Sequence, residues 1–446
     1  MVKVVLRSPL RDLAGGQSSV DVQGGSVGEV LGKLEGDYPK LNGWVRDEQG
    51  RIRRHVNVFL NGERVRSDAA VGASDTIHIL PAISGGAPDV DGSGAELLVG
   101  THKGLFVLRG ERGGAMDVVA RKFEGVNCEF AVRDPRTGTY YASVTHGQHG
   151  PRIMFADDPA GEWEQADGPA FPEDTGVAVE RTWLIQPGEE DGVLWAGVAP
   201  AALFRSEDGG RSWQLNRGLW DDPTRPQWNP GAGGLALHSI ALWPGEPDRL
   251  AVGVSAAGVW ITEDRGKTWH RGVKGITAPY LPKDVEDPLD LCVHNMHRSP
   301  VQPETMYMQF HGGVFRSDDA GETWNDIAPG LPSNFGFPMV AHPHDADRAF
   351  VIPLTGDFDR VTPDGRVRVF STRDRGASWT GLENGLPQEE SFLTILRQAF
   401  GHDGRERLGL YFGAESGEIF GSADDGESWR LVVDHLPPVY SVRVSA

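Results

Sequence analysis

Ser317-Asp318-Asp319-Ala320-Gly321-Glu322-Thr323-Trp324 decides the fold, because it recurs. Ser206 to Trp213, Thr262 to Trp269, Thr372 to Trp379 and Ser422 to Trp429 all read Ser/Thr-x-Asp-x-Gly-x-Ser/Thr-Trp. Ala156 to Trp163 is a worn copy that keeps Asp158 and Trp163. The pattern predicts a strand running into a tight hairpin. The Asp accepts hydrogen bonds from turn amides, the Gly supplies positive φ, and the Trp packs back over the hairpin.

An apolar pair precedes each hairpin, at Leu105-Phe106, Ile153-Met154, Leu203-Phe204, Val259-Trp260, Val314-Phe315, Val369-Phe370 and Ile419-Phe420. Units spaced near fifty residues give a propeller period. Within one unit the expected order is strand Ser239 to Trp243, strand Leu250 to Val254, strand Gly258 to Thr262, hairpin and last strand. The first unit, from Glu96, lacks an innermost strand, and Val439 to Val444 is a surplus one. Deficit and surplus cancel if the C-terminal strand closes the ring. The expected fold is therefore mainly β, with a seven-bladed β-propeller over 96–446 closed by its C-terminal strand.

Residues 1–86 read as a separate α+β unit. Val2, Val4 and Leu6 alternate, as do Val20 and Val22, giving two strands with a Gly-rich turn between them. Ser26 opens a helix whose Val27, Val30, Leu31, Leu34 and Tyr38 share one face. Val56 to Leu60 and Asp75 to Leu80 are further strands, with Asn61-Gly62 a turn signal. The order ββαββ is a β-grasp pattern. Residues 87–95 have linker composition.

Charge separates the two parts. Residues 1–86 hold 11 Lys+Arg against 10 Asp+Glu, and the rest hold 32 against 53. So acidic a body argues against nucleic acid or an anionic membrane surface as partner. Cys128 and Cys292 read as reduced residues of apolar strands. No apolar run reaches membrane-spanning length, and the N-terminus reads directly into a strand, so a cytoplasmic protein is expected.

The repeated octet resembles the Asp-box, or BNR, repeat of sialidase-like β-propellers. Val27 to Leu31, Val56 to Gly62 and above all Ile79-Leu80-Pro81-Ala82-Ile83-Ser84-Gly85-Gly86 resemble the MoaD/ThiS sulfur carriers. That resemblance covers residues 1–86. It implies that an activating enzyme adenylates the glycine carboxylate, which then becomes a thiocarboxylate. Gly85 and Gly86 suit a tail that threads a narrow catalytic channel. Here Ala87 follows Gly86, so either a peptidase cuts between them or the domain serves as a docking module.

Aligning the propeller units on the prolines that end their inner strands puts Glu129, Arg181, His238, His294 and Phe337 in one column. Second-strand ends bring His102, His146, His311 and Glu415 to the same channel mouth. Neutral imidazoles, foremost His238, His294 and His311, suit a transition metal, while Arg and protonated His suit anions. A polar, water-filled mouth fits the same residues. Two long Pro- and Gly-rich inserts, Gln214 to Ala236 and His270 to Leu291, read as lids, partner-binding loops or plain surface loops.

Two functions stay open at this level. One is a carrier-like domain, latent until cut, fused to a propeller that binds a ligand or partner. The other is a propeller hydrolase, glycosidase-like or metal-dependent, with the small domain as accessory. The sialidase Arg-Ile-Pro signature is absent, since Pro151-Arg152-Ile153 has the letters in another order. A shared fold does not deliver the activity.

Overall fold

A computed structural model describes residues 1–6, 10–42, 44–46, 50–52, 56–61, 63–65, 67, 69–81, 94–231, 233–277, 280–281, 288–356 and 358–445. Gly85, Gly86 and the linker up to residue 93 lie outside them. The chain divides into two compact units, Met1–Val90 and Asp91–Ala446. No helix among the described residues is long and apolar enough to cross a membrane.

The first unit is a five-stranded sheet in the order Ser19–Val22, Val2–Leu6, Thr76–Pro81, Val56–Leu60, Glu63–Arg64. Val2–Leu6 runs parallel to Thr76–Pro81, the central pairing of a β-grasp sheet. The helix Val27–Asp37 buries Val27, Val30, Leu31 and Leu34 against that sheet's apolar residues. Ser26 caps it by accepting the Glu29 amide at 3.3 Å, and the Glu29 carboxylate takes the Gly25 amide at 2.9 Å. Glu35 is buried too, because Arg46 Nε reaches its carboxylate at 2.8 Å. Between the first two strands the chain forms a short helix, Leu10–Leu13, before the expected Gly-rich turn. Leu10 is fully buried and anchors it, a role that strand alternation does not signal.

The second unit holds seven four-stranded antiparallel sheets among the described residues. Inner strands are Val439–Ser445, Asn127–Arg133, Arg181–Pro187, Leu237–Leu242, Val293–Arg298, Phe335–Ala341 and Phe400–His402. The C-terminal strand pairs with Gly94–Thr101, from Val439 opposite Thr101 to Ser445 opposite Glu96, and completes the first sheet. Gly94–Thr101 starts two residues inside the stretch read as linker, because Gly94 still pairs with Glu111. Likewise Leu237–Leu242 begins two residues before the expected Ser239.

The repeated hairpins show why their residues are fixed. In the fourth sheet Asp264 Oδ1 accepts the Thr268 amide at 2.9 Å, and Oδ2 accepts the Thr268 hydroxyl at 2.6 Å. The Thr262 hydroxyl donates to Asp264 at 2.8 Å and accepts the Gly266 amide at 2.9 Å. Gly266 has φ +82° and Arg265, just before it, also turns left-handed at 63°. A Cβ on Gly266 would lie 2.2 Å from Asn216 Nδ2, so any other residue there would be strained by φ and would push that side chain aside. The tryptophans do more than cover their own hairpins. Trp324 Nε1 donates to Gly272 O at 3.0 Å and Trp269 Nε1 to Asn216 Oδ1 at 3.0 Å, each on the preceding sheet. An indole is long enough to cover a turn and still tie it to its neighbour.

Asp264 illustrates the energetics. Desolvation opposes its charge, but the hydrogen bonds from Thr268 and Thr262 outweigh it and hold the carboxyl at about 2. A depressed folded value gives stability that is present above the unfolded value near 4 and is lost as pH falls toward 2. Asp264→Ala is expected to lower unfolding free energy by about 1–2 kcal/mol at pH 7. Denaturant titration at pH 7 and pH 2.5 checks this: the gap between variant and parent should narrow at the lower pH.

Candidate functional site

The inner strands share an irregularity. Their register against the second strand skips Glu129, Trp183, His238 and His294, and in the sixth sheet the pair Phe337-Pro338. Tyr440 is skipped in the closing strand. A skipped residue is a β-bulge, which leaves the alternation of its strand and re-aims the side chain. Some of these residues from adjacent sheets are neighbours. Ring centroids of Trp183 and His238 are 6.2 Å apart, and those of His294 and Phe337 4.8 Å.

A cavity of about 350 Å³ lies at this mouth, lined by Cys292, His294, His311, Phe337, Arg360 and Arg397 among others. Both inserts contribute to its lining, through Asn229, Pro230, Gly231 and Gly233 from the first and Tyr280 and Asp290 from the second. His294 is 2% exposed, its Nδ1 within 2.6 Å of Gly336 O. Burial, with Arg397 nearby, pushes His294 well below the usual histidine range, so the ring is neutral. One potential ligand atom from each of Cys292, His294 and His311 lies within 4.8 Å of the others.

Arg397 sits between aromatic faces, 4.7 Å from the Phe337 centroid and 5.8 Å from Trp183. Desolvation brings its guanidinium down to about 10. The next residue, Gln398, donates to His238 O at 2.8 Å, and Arg443 Nη1 donates to Gln398 O at 2.8 Å. Asn295 Nδ2 reaches Arg397 O at 2.8 Å. Arg397-Gln398 thus ties three sheets together across the channel. Arg397 lines the first cavity, and Gln398 lines a second of about 600 Å³ with His238, His297, His402 and Arg443.

The sequence-derived candidates are placed as follows. His294 and His311 line the smaller cavity together, and His238 lines the larger one. Glu129 and Arg181 pair at 3.7 Å, and His102 Nδ1 lies 2.7 Å from the Tyr440 hydroxyl. Glu415 is raised by burial and opposed by the charge of Arg360, and it lines neither cavity. His146 stacks on His149 at 4.6 Å and lines neither cavity. Cys292 takes the place expected of His238 beside His294 and His311. In the third sheet the bulged residue is Trp183, two positions beyond Arg181. Cys292, Arg360 and Arg397 escaped sequence reasoning. Cys292 stands two residues before His294, a spacing that was there to be read.

Comparison with known proteins separates the two units. Residues 4–86 match the ThiS family. Over 91 residues the chain is 35% identical to the sulfur carrier protein CysO of Mycobacterium tuberculosis, covering 19% of this chain and 98% of that protein. The propeller is similar to an oligoxyloglucan-reducing end-specific xyloglucanase of Emericella nidulans, 24% identical over 206 residues, 41% of this chain and 23% of that enzyme. A Bacteroides uniformis structure named for 6-phosphogluconolactonase superposes with a TM-score of 0.50 at 10% identity, covering 79% of this chain and all of that one. This last likeness concerns fold alone.

Glu129 yields a pH prediction. It is 4% exposed, and desolvation, only partly offset by Arg181, raises its carboxyl to about 7. For a carboxyl whose folded value exceeds the unfolded one, stability is full below the unfolded value near 4 and declines as pH rises through 7. Glu129→Gln removes that loss. Thermal melts should show the variant gaining on the parent between pH 5 and pH 8, by roughly 3 kcal/mol at most. Parallel melting curves across that range would refute the assignment.

Proposed function

Through residues 4–86 the chain belongs to the ThiS family, and on that premise we propose a sulfur carrier made in latent form. Its propeller binds a ligand or partner at the channel mouth. The observation that supports this reading is where the family match ends, at Gly86, the second of two glycines. Hydrolysis of the Gly86–Ala87 peptide frees the carboxylate. An activating enzyme then adenylates it with loss of pyrophosphate, and sulfide displaces AMP to leave the thiocarboxylate. The partners are therefore a peptidase and an adenylating enzyme. Cleavage leaves both folds whole, because among the described residues the apolar core of the first unit is built from residues 2–79.

At the mouth, Arg397 favours a small anionic ligand. Among the described residues no carboxylate pairs with it, and an unpaired guanidinium in a cavity is a ready anion seat. The glycosidase reading rests on the propeller's similarity to xyloglucanases. Glycosidases generally need two carboxyl groups flanking the scissile bond, and the cavity's described lining has one, Asp290. The carrier reading is accordingly preferred.

Mass spectrometry tests it. Full-length protein incubated in host lysate should yield a species ending at Gly86, and Gly86→Pro should block its appearance. Residues 1–86 given an adenylating enzyme, ATP and sulfide should gain the mass of one oxygen-to-sulfur exchange. A single full-length species throughout, with no mass gain by the short form, would overturn the proposal. Turnover of fluorogenic glycosides would favour the hydrolase instead.

A further inference from the structure

Sulfur-carrier chemistry makes no use of the three side chains that meet at the channel mouth. Cys292 immediately precedes the inner strand of the fifth sheet, His294 is that strand's bulged residue, and His311 follows the second strand, Met306–Phe310. The His311 amide donates to Cys292 O at 3.0 Å, so one sheet fixes the spacing of all three. Their ligand atoms lie within 4.8 Å of one another. We propose that Cys292, His294 and His311 bind one divalent transition-metal ion, preferably zinc, with a fourth position open to the cavity.

Three lines of chemistry converge on this. One thiolate and two imidazoles are a borderline-soft donor set suited to zinc, with too few oxygens for magnesium or calcium. His294 Nδ1 donates to Gly336 O at 2.6 Å, which leaves Nε2 to ligate and fixes the ring plane. Metal-bound imidazoles almost always have such a partner on the other nitrogen. Finally, a tetrahedral ion at about 2.3 Å from sulfur and about 2.1 Å from nitrogen sets its ligand atoms roughly 3.5 Å apart. Small rotamer shifts reach that from the present spacing. The thiolate leaves the ion with a net positive charge, and Arg360 and Arg397 line the same cavity. Both features suit hydroxide or a small anion at the open position.

The test uses untagged full-length protein, stripped with chelator and reloaded with zinc or cobalt. Elemental analysis after gel filtration should find one zinc per chain. The cobalt form should show intense tetrahedral visible bands and a thiolate-to-cobalt charge-transfer band in the near ultraviolet. Cys292→Ser should abolish that band, and His311→Ala should weaken affinity by more than about tenfold. His146→Ala, far from the cluster in role and lining, should bind as the parent does. Circular dichroism shows whether each variant is folded, and the parent's cobalt spectrum decides even where a variant is not. Sub-stoichiometric uptake by folded parent protein, a cobalt spectrum without thiolate charge transfer, or unchanged binding by Cys292→Ser would each overturn the site. None of these readouts depends on whether Gly86 is ever freed.

Discussion

A regular strand offers its side chains two directions, the two faces of its sheet. In this ring those faces are taken up by packing between neighbours. Ala251, Val259 and Ile261 of the fourth sheet, for instance, share a core cluster with Val293, Met306 and Phe315 of the fifth. A side chain leaves that arrangement only where the strand's register breaks. Six inner strands break, and the residues released are Tyr440, Glu129, Trp183, His238, His294 and the Phe337-Pro338 pair. That backbone device supplies the inner strands' share of the channel mouth, and connecting segments bring Arg360 and Arg397 to it.

The device also explains what could be read in advance. Hairpins and closing strand were legible because their chemistry is local: a hydroxyl, a carboxylate and a glycine at fixed spacing make the same turn wherever they occur. Glu129, His238 and His294 were legible because the prolines end three inner strands at equal distance from the bulge. In the third sheet that measure falls two residues short, giving Arg181 where Trp183 is released. Arg360 and Arg397 carry no such ruler, since they lie on connecting segments of unequal length. Cys292 was hidden differently. Its apolar neighbours Leu291 and Val293 are fully buried, and a thiol between them reads as one more core residue.

The tryptophans teach a related lesson about reach. Spacing alone places an indole over its own hairpin, as Trp213 shows by donating to Gly210 O at 3.1 Å. Trp379 donates instead to Ile327 O at 2.6 Å, fifty-two residues earlier in the chain. A repeat therefore specifies the contact between copies as well as each copy's turn. That is why the pattern could be counted from sequence while its second role could not.

The cations of the channel set the last constraint. Removing a guanidinium from water costs several kcal/mol even after relaxation. Two aromatic faces return about 1–2 kcal/mol each when the contact is dry. Trp183 and Phe337 offset part of what Arg397 loses, and desolvation still brings its guanidinium down to about 10. Arg316, buried more deeply in the fifth sheet, solves the problem with Asp318 at 2.6 Å. Arg397 has no such carboxylate among the described residues, and the cavity beside it has room for water or an anion. A small anion entering that cavity would answer the charge that no carboxylate among the described residues answers.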